Sequence, residues 1–216
     1  MFVGCISGLW GCLSIAYKIA GVTILIIAAN IIFFLTNLSD PELYIQLVQN
    51  YGLVPVQIIE GKNLITLVTS MFLHADIIHL GMNMFFLFVT GDGVERELGS
   101  SRFLVLYMVC GIIAGLFHSY LNSTSAIPTI GASGAVFGII AAFAILFPFR
   151  WLITLLGFIP IPVPAIIFVF ITIISETAYV ASGVVENVAH TAHLGGFLTG
   201  IFLTLIFIPK RRLKEK

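Results

Sequence analysis

The chain reads as an all-α, polytopic membrane protein built from six transmembrane helices. Three observations predict this. Of 216 residues, 59% are hydrophobic and only 9% charged. The mean hydropathy is +1.12. The apolar residues fall into six long runs separated by polar, proline or glycine punctuation. A soluble domain carries about 25% charged residues, so this chain has too little polar surface to wrap a water-facing globule. The formal net charge of zero gives no basic surface for nucleic acid. Cys5, Cys12 and Cys110 make an odd set with Cys110 inside an apolar run, which argues against a disulfide framework.

The six spans are placed near 19–36, 72–91, 103–121, 132–148, 163–181 and 189–208. Each approaches the length that a hydrocarbon core of ~30 Å requires at about 1.5 Å per residue. Residues 1–18 form an apolar lead-in without the basic region of a signal peptide, residues 19–209 the helical membrane domain, and residues 210–216 a basic tail. Asn37 to Asp40 ends the first span, Gly91-Asp92-Gly93 the second, and Pro148-Phe149-Arg150 the fourth. The connection 37–71 is long enough to carry structure of its own on the membrane surface. Residues 151–162 are apolar but too short to span, and Pro160, Pro162 and Pro164 break any helix through them. This stretch is expected at the inner interface.

Basic residues set the expected orientation. With the N-terminus inside, Lys18, Arg96, Arg102, Arg150, Lys210, Arg211, Arg212, Lys214 and Lys216 are cytoplasmic, and only Lys62 is external. Both termini then face the cytoplasm.

Four polar side chains stand where a plain membrane helix has no need of them: His79, Asn83, Ser133 and His193. A serine among small residues is usually a packing residue, and a lone helix histidine is more often structural than catalytic. Together they carry more information. Ser133 lies fifteen residues before Pro148, and His193 fifteen before Ile208. Both therefore stand about 22 Å above the inner boundary, on spans running the same way. Gly134-x-x-x-Gly138 and Gly196-x-x-x-Gly200 offer faces on which the two backbones can approach closely. A neutral imidazole can take the proton of a serine hydroxyl and return it to a leaving amine. No aspartate lies in or near the sixth span, so the pair reads as a dyad oriented by packing, with Phe137 one turn below Ser133 as an aromatic face. His79 and Asn83 share one helix face. They are either interhelical glue or donors to a developing oxyanion, together with the Ser133 N–H.

Two rival sites are conceivable. Glu186, His190 and His193 have conceivable metal-ligand spacing but lack the HExxH order. A soluble-type nucleophile elbow needs glycine where Ala135 stands, and a preceding strand. No metal or cofactor is expected.

These motifs, taken in order, resemble the rhomboid family. His79-x-x-x-Asn83 is similar to its HxxxN, Gly131-Ala132-Ser133-Gly134 to its GxSG, and Ala192-His193-Leu194-Gly195-Gly196 to its AHxGG. Gly93-Val94-Glu95-Arg96-Glu97-Leu98-Gly99 is similar to the family's inner loop, with Glu95 as structural support, and Phe72-Leu73-His74 to the end of its first external loop. The resemblance implies a six-helix bundle with a water-filled cavity open to the outside. It also implies cofactor-free cleavage of membrane-anchored proteins in or near their transmembrane segments, with His193 rather than His190 as the base. One departure is visible: Gly61-Lys62-Asn63-Leu64 stands where many members carry Trp-Arg. The alternatives are a rhomboid-like protein that binds transmembrane segments without cutting them and, more remotely, a transporter, for which no internal repeat is seen.

Overall fold

The computed structural model describes residues 20–37, 40–156, 159–183 and 188–208. The predicted lead-in and basic tail lie outside these residues, as does Glu186. Helices dominate. In chain order they are α1 (Gly21–Asn37), α2 (Pro41–Tyr51), α3 (Pro55–Ile59), α4 (Thr66–Thr69), α5 (Ile77–Leu98), α6 (Ser100–Leu121), α7 (Ser133–Leu146), α8 (Ala165–Ser182) and α9 (His190–Phe207). A short 3₁₀ turn, Ser70–Phe72, precedes α5. A two-stranded hairpin, β1 (Trp151–Leu156) and β2 (Ile159–Pro164), separates α7 from α8.

Each predicted span holds one helix. Among the described residues, α5, α6, α8 and α9 are long and apolar enough to cross a membrane. α1 has 17 residues, close to the expected span, whereas α7, with 14, is shorter than the sequence suggests. α7 can be short because it is the core of the bundle. Nearly every residue from Gly134 to Leu146 is buried, against α5, α6, α8 and α9. A helix surrounded by protein need not match the bilayer, and non-helical backbone beyond its end is tolerated where it lines a cavity.

The second span differs from expectation at both ends. It begins at Ile77, because Asp76 caps α5 by accepting from the backbone N–H groups of Ile78 and His79 at 2.9 and 2.8 Å. It also runs through Gly91-Asp92-Gly93 and stops only at Gly99, where φ is +85°. The inner glycines are packing positions, not a turn. A Cβ on Gly91 would meet Thr23 Cγ2 at 2.9 Å, and one on Gly93 would meet the Phe143 ring at 3.2 Å.

Glu95, buried in the last turns of α5, caps α1. Its carboxylate accepts from the N–H groups of Val22 and Thr23, at 3.0 and 2.7 Å, and from the hydroxyls of Thr23 and Ser100, at 2.8 and 2.6 Å. An anion at a helix N-terminus satisfies donors the helix itself cannot.

The segment after Pro148 forms the β-hairpin that the sequence reading did not foresee. Thr154 pairs with Ile161 and Leu152 with Val163. Pro160, Pro162 and Pro164 stand opposite Leu155, Ile153 and Trp151 and alternate with Ile161 and Val163, a spacing of two that fits an edge strand whose ladder hydrogen bonds use the intervening residues.

The long first connection carries α2, α3, α4 and the 3₁₀ turn. Leu53 and Thr129 exchange backbone hydrogen bonds of 3.0 and 2.7 Å, and Gly131 N–H donates to the Ser70 carbonyl at 2.9 Å. The connection thus holds the strand-like approach to Ser133.

Candidate active site

Ser133 is the first residue of α7, and its backbone N–H belongs to the helix end with no intrahelical acceptor. The chain reaches it through Gly131, whose φ of +122° excludes an ordinary side chain. The same glycine makes room for His79, since a Cβ there would lie 2.7 Å from His79 Nε2.

His193 stands one turn into α9. The Ser133 hydroxyl donates to His193 Nε2 at 2.9 Å, and the Phe137 ring stacks on the imidazole with centroids 4.1 Å apart and an interplanar angle of 10°. The glycine faces account for the close approach. A Cβ on Gly196 would collide with the Gly134 carbonyl oxygen, and one on Gly200 would lie 2.6 Å from Gly138 Cα. No side chain separates the two backbones here. The opposite side of α7 packs as tightly on α6, with a Cβ on Gly134 meeting that of Ala114 at 2.5 Å.

The pair opens into a cavity of about 1250 Å³ at the end of the bundle that carries residues 122–131. His79 and Asn83 line it from α5. Asn83 Nδ2 donates one hydrogen to the His79 carbonyl at 2.9 Å, which leaves its second amide hydrogen available. His79 Nδ1 accepts a long, 3.4 Å hydrogen bond from the Ala75 N–H. Its proton is therefore on Nε2, the nitrogen beside Gly131. His74, in the connector before α5, packs edge-on against His79 at 5.1 Å. Burial, with His79 as a smaller cause, pushes the His74 imidazole down to about 4, so that ring is neutral near pH 7.

The structure adds one residue to those that the sequence pattern singles out. Glu176, on α8, places Oε2 3.0 Å from His193 Nδ1 and 2.7 Å from His190 Nδ1. The signal was present, since an ionisable residue inside a span defaults to function. Glu176 lies in the fifth predicted span, however, and nothing in its spacing ties it to His193 in the sixth. The carboxylate that joins the two histidines is thus Glu176, and the three offer ligand atoms within 4.8 Å of one another.

The apolar helical bundle is that of an integral membrane protein, and in it a serine at the end of the central helix is in hydrogen-bond contact with a histidine. A family model for the rhomboid domain matches residues 61–210. The chain belongs to the rhomboid family. It is 32% identical over 160 residues to mitochondrial Rhomboid protein 1 of Saccharomyces cerevisiae, covering 71% of this chain and 44% of that protein. It is 33% identical over 159 residues to Rhomboid protease AarA of Providencia stuartii, covering 64% of this chain and 54% of that protein. RHOMBOID-like protein 1 of Arabidopsis thaliana is 31% identical over 161 residues, with 74% and 39% covered. The chain thus spans about half the length of these relatives, or less.

Proposed function

We propose that this protein is an intramembrane serine endopeptidase that cleaves membrane-anchored proteins in or near their transmembrane segments. The observation that carries the reading is the 2.9 Å contact of Ser133 Oγ with His193 Nε2 inside a cavity at the end of an apolar bundle. As Ser133 Oγ bonds to the scissile carbonyl carbon, its proton passes to His193 Nε2. Collapse of the tetrahedral intermediate breaks the C–N bond, and His193 returns that proton to the leaving amine. Water then repeats the sequence on the acyl-enzyme. The Ser133 N–H, His79 Nε2–H and the second Asn83 amide hydrogen are the donors for the oxyanion. The test is incubation of the protein in liposomes with a panel of tagged transmembrane segments. Cleavage that depends on Ser133 is expected. Binding of segments with no cleavage of any would instead mark a non-proteolytic binding protein.

The oxyanion role of Asn83 makes a separate prediction. Losing one such donor costs about 10²–10³ in kcat in soluble hydrolases. Asn83→Ala should lower kcat by that order and change KM less. An unchanged kcat with a lower melting temperature would reduce Asn83 to interhelical glue.

We also place both termini in the cytoplasm, with the cavity opening externally. The basis is nine basic residues at the inner side against Lys62 alone outside. A cysteine introduced at Lys216 should resist impermeant maleimide in intact cells. Its labelling from outside would invert the topology.

A further inference from the structure

The geometry points to Glu176 as the positioning residue of His193, the third member of a Ser133–His193–Glu176 relay carried by α7, α9 and α8. This rests on the protease reading above. Three observations carry it. The first is the line of contacts: Ser133 Oγ to His193 Nε2 at 2.9 Å, then His193 Nδ1 to Glu176 Oε2 at 3.0 Å. For Nε2 to receive the serine proton it must be bare, so the neutral ring must carry its hydrogen on Nδ1. A carboxylate accepts and never donates, so Glu176 selects that tautomer.

The second observation is how Glu176 is itself held. His190 Nδ1 donates to the same Oε2 at 2.7 Å. The His190 ring lies flat on Tyr179, with centroids 4.5 Å apart and an interplanar angle of 3°. Glu176 and Tyr179 are three residues apart on α8, and His190 and His193 are three apart on α9. Each pair therefore shares one helix face, and the two faces meet. The third observation is burial. The Glu176 side chain is 12% exposed and that of His193 is 10% exposed. A carboxylate removed from water at a membrane helix is costly unless its partners need it.

During catalysis Glu176 takes no proton. It stays an anion while His193 gains the Ser133 proton on Nε2 and keeps its own on Nδ1. Its charge faces the positive charge that forms on the ring. Phe137 fixes the plane of that ring, and Glu176 fixes its rotation within the plane.

The test compares the wild-type protein with Glu176→Gln and Glu176→Asp in liposomes, with Ser133→Ala as the blank. Glu176→Gln should lower kcat per folded molecule by roughly 10²-fold or more, toward the about 10⁴-fold cost of a wrong tautomer in soluble triads. KM should stay within about twofold. Glu176→Asp, which keeps the charge on a shorter arm, should recover part of the rate. A tie that merely joins α8 to α9 would lower the melting temperature and the folded fraction with kcat per folded molecule unchanged, and that result overturns the proposal. Loss of wild-type activity on chelation, restored by zinc, would make Glu176 a metal ligand and overturn it too. A second arm needs no protease activity. ¹⁵N-histidine NMR, with His193→Gln to assign the signal, should show an Nδ1–H ring in the wild type and a mixed tautomer in Glu176→Gln. If no Ser133-dependent cleavage exists, the protease reading fails alone, and an Nδ1–H signal that persists in Glu176→Gln still refutes the positioning role.

Discussion

Replacement of Ser133 by alanine is expected to lower the cleavage rate of a transmembrane substrate by at least about 10⁴-fold, with the fold intact. The side chain sits at the first position of α7, where its hydroxyl is hydrogen-bonded to His193 Nε2. Alanine removes one oxygen and leaves the Gly131 turn and the α7 packing unchanged. His193→Ala should cost as much, since a hydroxyl without its base is a poor nucleophile. The double variant should be no slower than either single one, because groups that act as a unit are not additive. Cleavage rates per folded molecule in liposomes check all three. Rates within tenfold of wild type in either single variant would remove the dyad from the mechanism.

The second large effect is expected at a residue that has no side chain to take part in the reaction. Gly196→Val should abolish cleavage and lower the melting temperature. A Cβ at position 196 runs into the carbonyl oxygen of Gly134, the residue after the nucleophile. The obstacle is backbone at the heart of the bundle, so no side chain can yield. Overpacking of this kind costs about 1–3 kcal/mol or more, and relief comes only by moving α9 away from α7. A displacement near 1 Å between reacting groups costs about 10²-fold in rate. Gly81→Ala is the control, because a Cβ there meets nothing within 4 Å. Activity and melting temperature close to wild type in Gly196→Val would mean that the two helices are not held as close as this structure has them.

The sequence was most legible where physical requirements converge on few residues. Ser133 and His193 stood out because polar groups in apolar spans need a reason, and the flanking glycines said which helix faces can meet. That the first connection carries structure of its own was legible from its length, but not that this structure is a series of short helices. Other parts were hidden for specific reasons. Gly91-Asp92-Gly93 has the composition of a turn, but its glycines face Thr23 and Phe143 inside a continuing helix. The prolines of β2 read as helix breakers, which they are. Their spacing of two, which suits one edge of a hairpin, was not used. Glu176 is seventeen residues from His193 in sequence. No spacing rule links the two, because the contact is made by the packing of α8 on α9.

The most direct test of the central claim is the site of covalent labelling by a fluorophosphonate probe in the membrane-embedded protein. Mass spectrometry of the labelled protein should find the adduct on Ser133, and the His193→Ala variant should lose it. An adduct on another residue, or labelling of Ser133 that is indifferent to His193, would contradict the account.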